Sequence, residues 1–132
     1  MVNIHHVCKL DKELYRVVTA DIRTDEVIIT DTQIDHIKER HPGDYERFAK
    51  FFPQIIADPD YILSTDAPNT AFILKNFQVK NENFQMILRL VTSGDIEGRS
   101  NSIITFLKVN DKKWHKYLRN KKILYSRLPL DV

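Results

Sequence analysis

Cysteine and glycine are scarce in this chain, one and three respectively among 132 residues. The single thiol, Cys8, leaves no internal disulfide, which suits a reducing compartment. A nucleophilic role for Cys8 would need a base in fixed relation to it, and the sequence sets none there. Without a glycine-rich phosphate loop, binding of nucleoside triphosphates or dinucleotides is set aside. CxxC, HExxH, GxSxG and EF-hand patterns are all missing. His36 and His41 stand at i,i+5 and His5-His6 are adjacent, poor spacings for a metal pair, so no metal and no cofactor are expected. No apolar run approaches a membrane span, and no apolar segment opens the chain. The expectation is a cytoplasmic protein with no membrane partner.

What is present is globular: 42% hydrophobic residues in a length that suits one domain, 1–132. Residues 1–19 read as an N-terminal arm or strand, with weak alternation from Leu14 to Ile22. The β-branched run Val27-Ile28-Ile29 leads into a helix. Asp44 is the expected N-cap of a second helix, whose stripe of Tyr45, Phe48, Phe51 and Phe52 is core for one face of a sheet. Pro53 interrupts it, and Asp58-Pro59-Asp60 ends it. Strands then follow at Tyr61–Ser64, Thr70–Phe77, Phe84–Thr92 and Ser102–Val109, with short links that favour an antiparallel meander. Asp111 is expected to cap a last helix carrying Trp114, Tyr117 and Leu118, and Ile123-Leu124-Tyr125 is a small final strand or arm.

The densest chemistry lies between Thr30 and Pro42. Thr30 with Gln33 has capping-box spacing, and Pro42 ends the helix at or before His41. Ile34 and Ile37 share one face of it, while His36 and Arg40, at i and i+4, share the other. His41 returns toward the isoleucine side. Alone, these residues would suit a solvated surface; together they can also handle a phosphate.

Charge is unevenly spread. Residues 99–127 hold nine Lys/Arg against one acid, whereas residues 1–98 hold eleven against sixteen. Lys108, Lys112, Lys113, Lys116, Arg119, Lys121 and Lys122, interleaved with Trp114 and Tyr117, form the footprint expected for a polyanion such as single-stranded nucleic acid. A solvated lysine-rich helix would look the same.

Two strand positions are anomalous. Thr105 sits in a row with Ile103, Leu107 and Val109, so it is expected to point at the covering helices. Arg89 is a permanent cation inside the apolar stretch Met86–Val91, and it must either meet an anion at the sheet edge or pair with a local acid.

Taken in order, Thr24–Asp31, His36-Ile37-Lys38-Glu39-Arg40-His41-Pro42, Asn101–Phe106 and Tyr117–Tyr125 resemble the phage- and mobile-element-borne members of the barnase–EndoU–colicin–RelE superfamily of nucleases. The resemblance implies an α+β fold with N-terminal helices packed on an antiparallel sheet of about four to five strands and a short C-terminal helix. It also implies metal-independent cleavage of RNA, often tRNA in toxin branches, with an antidote (immunity) protein as a candidate partner. Residue by residue, His36 resembles a helix-borne catalytic histidine, and Arg40 or His41 its phosphate-binding or acid companion. Thr105 resembles the strand hydroxyl that orients the scissile phosphate, with Ser102 as neighbouring candidate and Arg89 as a further phosphate cation. Where colicin-type relatives commonly carry an aromatic residue, two positions after that hydroxyl, this chain has Leu107. A non-catalytic nucleic-acid-binding protein using only the basic 99–127 region, or a module that meets a protein partner through its aromatic helix, would be rival readings.

Overall fold

The computed structural model describes residues 3–78 and 80–128. Among them seven strands form one mixed sheet: β1 (Ile4–Lys9), β2 (Glu26–Thr30), β3 (Tyr61–Leu63), β4 (Thr70–Phe77), β5 (Glu82–Arg89), β6 (Asn101–Val109) and β7 (Ile123–Ser126). Their order is β1-β2-β6-β5-β4-β3-β7. Every pairing is antiparallel except β2 with β6, which run parallel through Val27–Asn101 and Ile28–Ser102. Four α-helices, α1 (Asp31–Arg40), α2 (Asp44–Phe48), α3 (Phe52–Ala57) and α4 (Asp111–Asn120), complete the described architecture with two short 3-10 turns.

This overturns the expected antiparallel sheet of four to five strands beneath N-terminal helices. The additional strands β1 and β7 fall in the 1–19 segment and at Ile123–Tyr125, each read as a strand or an arm, and their places in the sheet have no local signal. β1 is an edge strand with most side chains half-buried or exposed, so it lacks the period that reports a core face. The stretch Leu14–Ile22 is not a strand: Leu14–Val17 is a 3-10 turn around buried Tyr15, whose hydroxyl donates to the Ile56 carbonyl at 2.7 Å. The parallel β2–β6 contact joins segments some seventy residues apart, a closure that short links cannot announce.

Each face of the sheet is set by strand alternation. One face buries Val27, Ile29, Ile73, Phe84, Met86, Leu88, Ile103 and Phe106 against Ile34 and Ile37 of α1, Phe48 of α2, and Phe52, Ile55 and Ile56 of α3. Phe106 is the hub of its aromatic cluster, 4.6 Å from Phe52 and 5.4 Å from Phe84 between ring centroids. On the other face Trp114, Tyr117 and Leu118 of α4 pack on Leu63, Phe72 and Leu74.

Helix ends follow local chemistry. Thr30 caps α1 by accepting from the Gln33 amide at 3.2 Å, and His41 closes it. Gly43, at φ 85°, precedes α2 in place of the expected Asp44 cap. Asn110 rather than Asp111 caps α4, accepting from the Lys113 amide at 2.8 Å. No described helix is long and apolar enough to cross a membrane.

Candidate functional site

β6 organises the chemistry because it changes face midway. Its ladder with β5 shifts between Leu88–Ile103 and Ile87–Thr105, leaving Ile104 as the extra, bulged residue. Ile103 and Phe106 therefore both enter the helix-covered core, and Thr105, Leu107 and Val109 turn to the α4 side. The sequence-based expectation that Thr105 would face the covering helices α1–α3 is corrected here. A strict twofold period cannot anticipate a bulge.

Past Ile28–Ser102, β6 has no strand on its β2 side, and α1 lies alongside it there. The start of α2 touches the same edge, since Asp44 accepts from the Lys108 amide at 3.4 Å. The isoleucines of α1 aim into the core, and Lys38 reaches α2, 3.7 Å from a Glu46 carboxylate oxygen and 5.5 Å from the Tyr45 ring centre. Helical periodicity then assigns Gln33, His36 and Arg40 to the flank turned away from α2. His36 and Arg40 are exposed and His41 is half-buried. Among the described residues none of the three side chains has a hydrogen-bond or ion-pair partner, and neither do the hydroxyls of Ser102 and Thr105. No hydrogen bond links α1's basic groups to Thr105.

Across the uncovered part of the sheet, strand register sets His6, Ile28, Ser102 and Arg89 in one row, on the face that also bears Thr105. Arg89 has met the local acid: its Nη2 lies 2.9 Å from Asp95 Oδ1, and Nη1 donates to the Leu90 carbonyl. The amide of Thr92, chiefly, and the Arg89 guanidinium beside it hold the Asp95 carboxyl below the usual range. His6 pairs with Glu26, and His5 with Asp31 at the first turn of α1. That His5 hydrogen bond lowers the pKa of Asp31. Sequence reasoning treated His5-His6 only as a metal pair; the cross-strand acids that orient them are invisible without the β1–β2 register.

α4 brings the basic side chains. Lys112, Lys113, Lys116, Arg119 and Lys122 are exposed and without an ion-pair partner among the described residues. Lys108 pairs with Glu82 at 3.2 Å, and Lys121 stands 4.7 Å from the Phe72 ring centre. Trp114 and Tyr117 are half-buried on the sheet, edge-on to Tyr61 and Phe72 at 6.0 and 4.8 Å, so packing occupies much of their ring surface. Asp111 bonds Asn83 of β5, whereas Lys116, Asn120 and Lys121 line a hollow with Ser64–Asp66 on the far side of the helix. His115 and Arg119, one turn apart, stand on the Asp111 side. His115 was missed, although its i,i+4 arginine repeats the His36–Arg40 spacing and could have flagged it.

With this arrangement in view, the family model described as phage-Barnase-EndoU-ColicinE5/D-RelE like nuclease2 matches residues 5–126. No curated protein and no solved structure matches the chain.

Proposed function

The chain belongs to this family of phage-type nucleases, and from that premise we propose that it cleaves RNA, without a metal, beside the β6 edge that α1 covers. A base removes the proton of a 2′-hydroxyl, the 2′-oxygen attacks the adjacent phosphorus, and an acid protonates the departing 5′-oxygen. The products are a 2′,3′-cyclic phosphate and a 5′-hydroxyl. His36 and His41 supply the proton transfers, one imidazole accepting a proton and the other giving one. Arg40 holds the phosphate, and Thr105 orients it, with Ser102 as its neighbour. Arg89, tied to Asp95, acts by positioning that end of the sheet. A tRNA is the first RNA to try, and an antidote protein would have to cover this edge.

The observation that carries the reading is that His36, Arg40 and His41 at the end of α1, and the Thr105 hydroxyl of β6, the strand α1 packs beside, are uncommitted to any partner among the described residues. Polar side chains at or near the surface that do no structural work are free to meet substrate. One further arrangement earns a comparison: His6, oriented by Glu26, in the row of Ser102 and Arg89. Incubation with total tRNA in EDTA, with end-group analysis, tests the proposal. Cyclic phosphate ends that vanish in His36→Ala or His41→Ala and persist in His6→Ala support it. Activity lost only in His6→Ala moves the chemistry to the β1 side, and activity that needs added metal defeats the proposed mechanism.

A further inference from the structure

A cavity of about 760 Å³ lies away from this edge, where the β4–β5 hairpin meets α2 and α3. That volume suits a small-molecule site. Lys75 stands in its wall with a side chain only 4% exposed, its Nζ donating to the Asp58 carbonyl at 2.6 Å and to Asp58 Oδ2 at 3.2 Å. Asp60 Oδ1 lies 3.9 Å from the same Nζ, so Lys75 is held in the wall by two carboxylates. Arg47, Lys50 and Lys80 add cations with no carboxylate partner among the described residues. The lining acids Glu46, Asp58 and Glu82 are each paired, with Lys38, with Lys75 and Arg127, and with Lys108. The wall between these charges is aromatic: Phe51 and Phe77 are half-buried with ring centroids 5.0 Å apart. Lys50 Nζ stands 5.3 Å from the first ring centre and Lys75 Nζ 5.7 Å from the second.

We propose that this cavity binds a nucleotide unit, its base on the Phe51–Phe77 wall and its phosphate between Lys50 and Lys80. Surplus positive charge calls for an anion, and flat rings call for a π surface joined to that anion at short range. Exposed amides of Gln54 and Gln78 at the rim can meet base edges. An acidic peptide would leave the rings unused, and β4, paired on both sides, offers it no free strand edge. The unit can be a free mononucleotide or one residue of an RNA chain; the recognition chemistry is the same.

Titrations of the whole protein with 5′-AMP, with a short single-stranded RNA and with an oligoglutamate, followed by amide resonances, separate these sources. Saturable shifts at Lys50, Phe51 and Phe77 with AMP establish the free nucleotide as a ligand. The same shifts with RNA alone make the cavity an anchor for a chain. Lys50→Glu with Lys80→Glu is expected to weaken binding at least about tenfold, the scale of a charged hydrogen bond. Phe51→Leu, which keeps bulk without the π face, is expected to weaken AMP while the fold, checked by its spectrum, persists. Oligoglutamate binding as well as AMP, or the absence of shifts at these residues with either nucleotide ligand, overturns the proposal. Since Lys50 and Lys80 lie outside the proposed cleavage edge, cleavage of a dinucleotide by the charge-reversed variant stays at the wild-type rate, which keeps this test independent of the nuclease assignment.

Discussion

Thr105 has a hydroxyl that no described side chain or backbone group engages, so its removal separates chemistry from stability cleanly. Thr105→Val keeps the branched shape and is expected to change stability by no more than about 0.5 kcal/mol, as for a position outside the core. Cleavage of RNA by the same variant is expected to fall by about 10²-fold, the scale of one lost preorganised donor. Equal activity of the two proteins would remove this hydroxyl from the reaction. Cys8 makes the opposite case, a reactive group silenced by its surroundings. Burial first, and the nearby Glu26 carboxylate second, push its thiol up to about 11. A raised pKa favours the protonated form in the folded state, so the stability it contributes is complete below the ordinary thiol value. That contribution is lost as pH rises toward 11. Alkylation of native Cys8 at mildly alkaline pH is therefore expected to be slower than that of a free cysteine, and unfolding in denaturant is expected to restore the ordinary rate. Fast labelling of the folded chain would contradict the burial argument.

At the scale of elements, α1 and α4, which pack on opposite faces of the sheet, each depend on a single capping side chain. Thr30→Ala and Asn110→Ala each remove one acceptor for an orphan amide, and each is expected to cost about 1 kcal/mol in denaturant unfolding. Thr30→Ala should also reduce cleavage, because α1 carries the proposed histidines, whereas Asn110→Ala should chiefly weaken RNA binding. Elements with a local signature could be read from the residues alone: α1 from its cap and its proline, and β4 and β5 from their alternation and turns. What escaped reading was non-local. β1 takes its identity from the edge of β2, the parallel β2–β6 contact needs a distant partner, and the Ile104 bulge reverses the facing of Thr105 without changing a single residue type. The candidate site followed the same division. The residue types on α1 and the hydroxyl on β6 were visible in order, but which face each would occupy was decided by register. The His6–Glu26 and His5–Asp31 pairs exist only because β1 and β2 run side by side. Tyr15 was hidden for a similar reason, since a 3-10 turn anchored by one hydroxyl to Ile56 carries no periodic pattern.

Over the whole molecule the charge imbalance becomes spatial. Within the basic 99–127 region, α4 is pinned to the sheet by Trp114, Tyr117 and Leu118, with Lys112, Lys113, Lys116 and Arg119 left exposed. The acids of the earlier chain are largely engaged, as in Asp58 with Arg127, Asp60 with Arg127 and Asp95 with Arg89. A rigid row of unpaired ammonium groups beside an uncovered sheet can attract a phosphate backbone without reading its bases, and counterion release makes such binding depend steeply on salt. For single strands the logarithmic slope is about −0.7 for each phosphate neutralised. Reversing Lys112, Lys113 and Lys116 to glutamate should therefore lower affinity for single-stranded RNA and flatten that slope by about 2 units, three contacts at this increment. Cleavage of a dinucleotide, which carries a single internucleotide phosphate, should fall less than affinity for the longer strand. Binding measured by fluorescence anisotropy across a salt series provides the slope. If it is unchanged in the triple variant, the polyanion tracks another surface, and α4 is left with packing as its work.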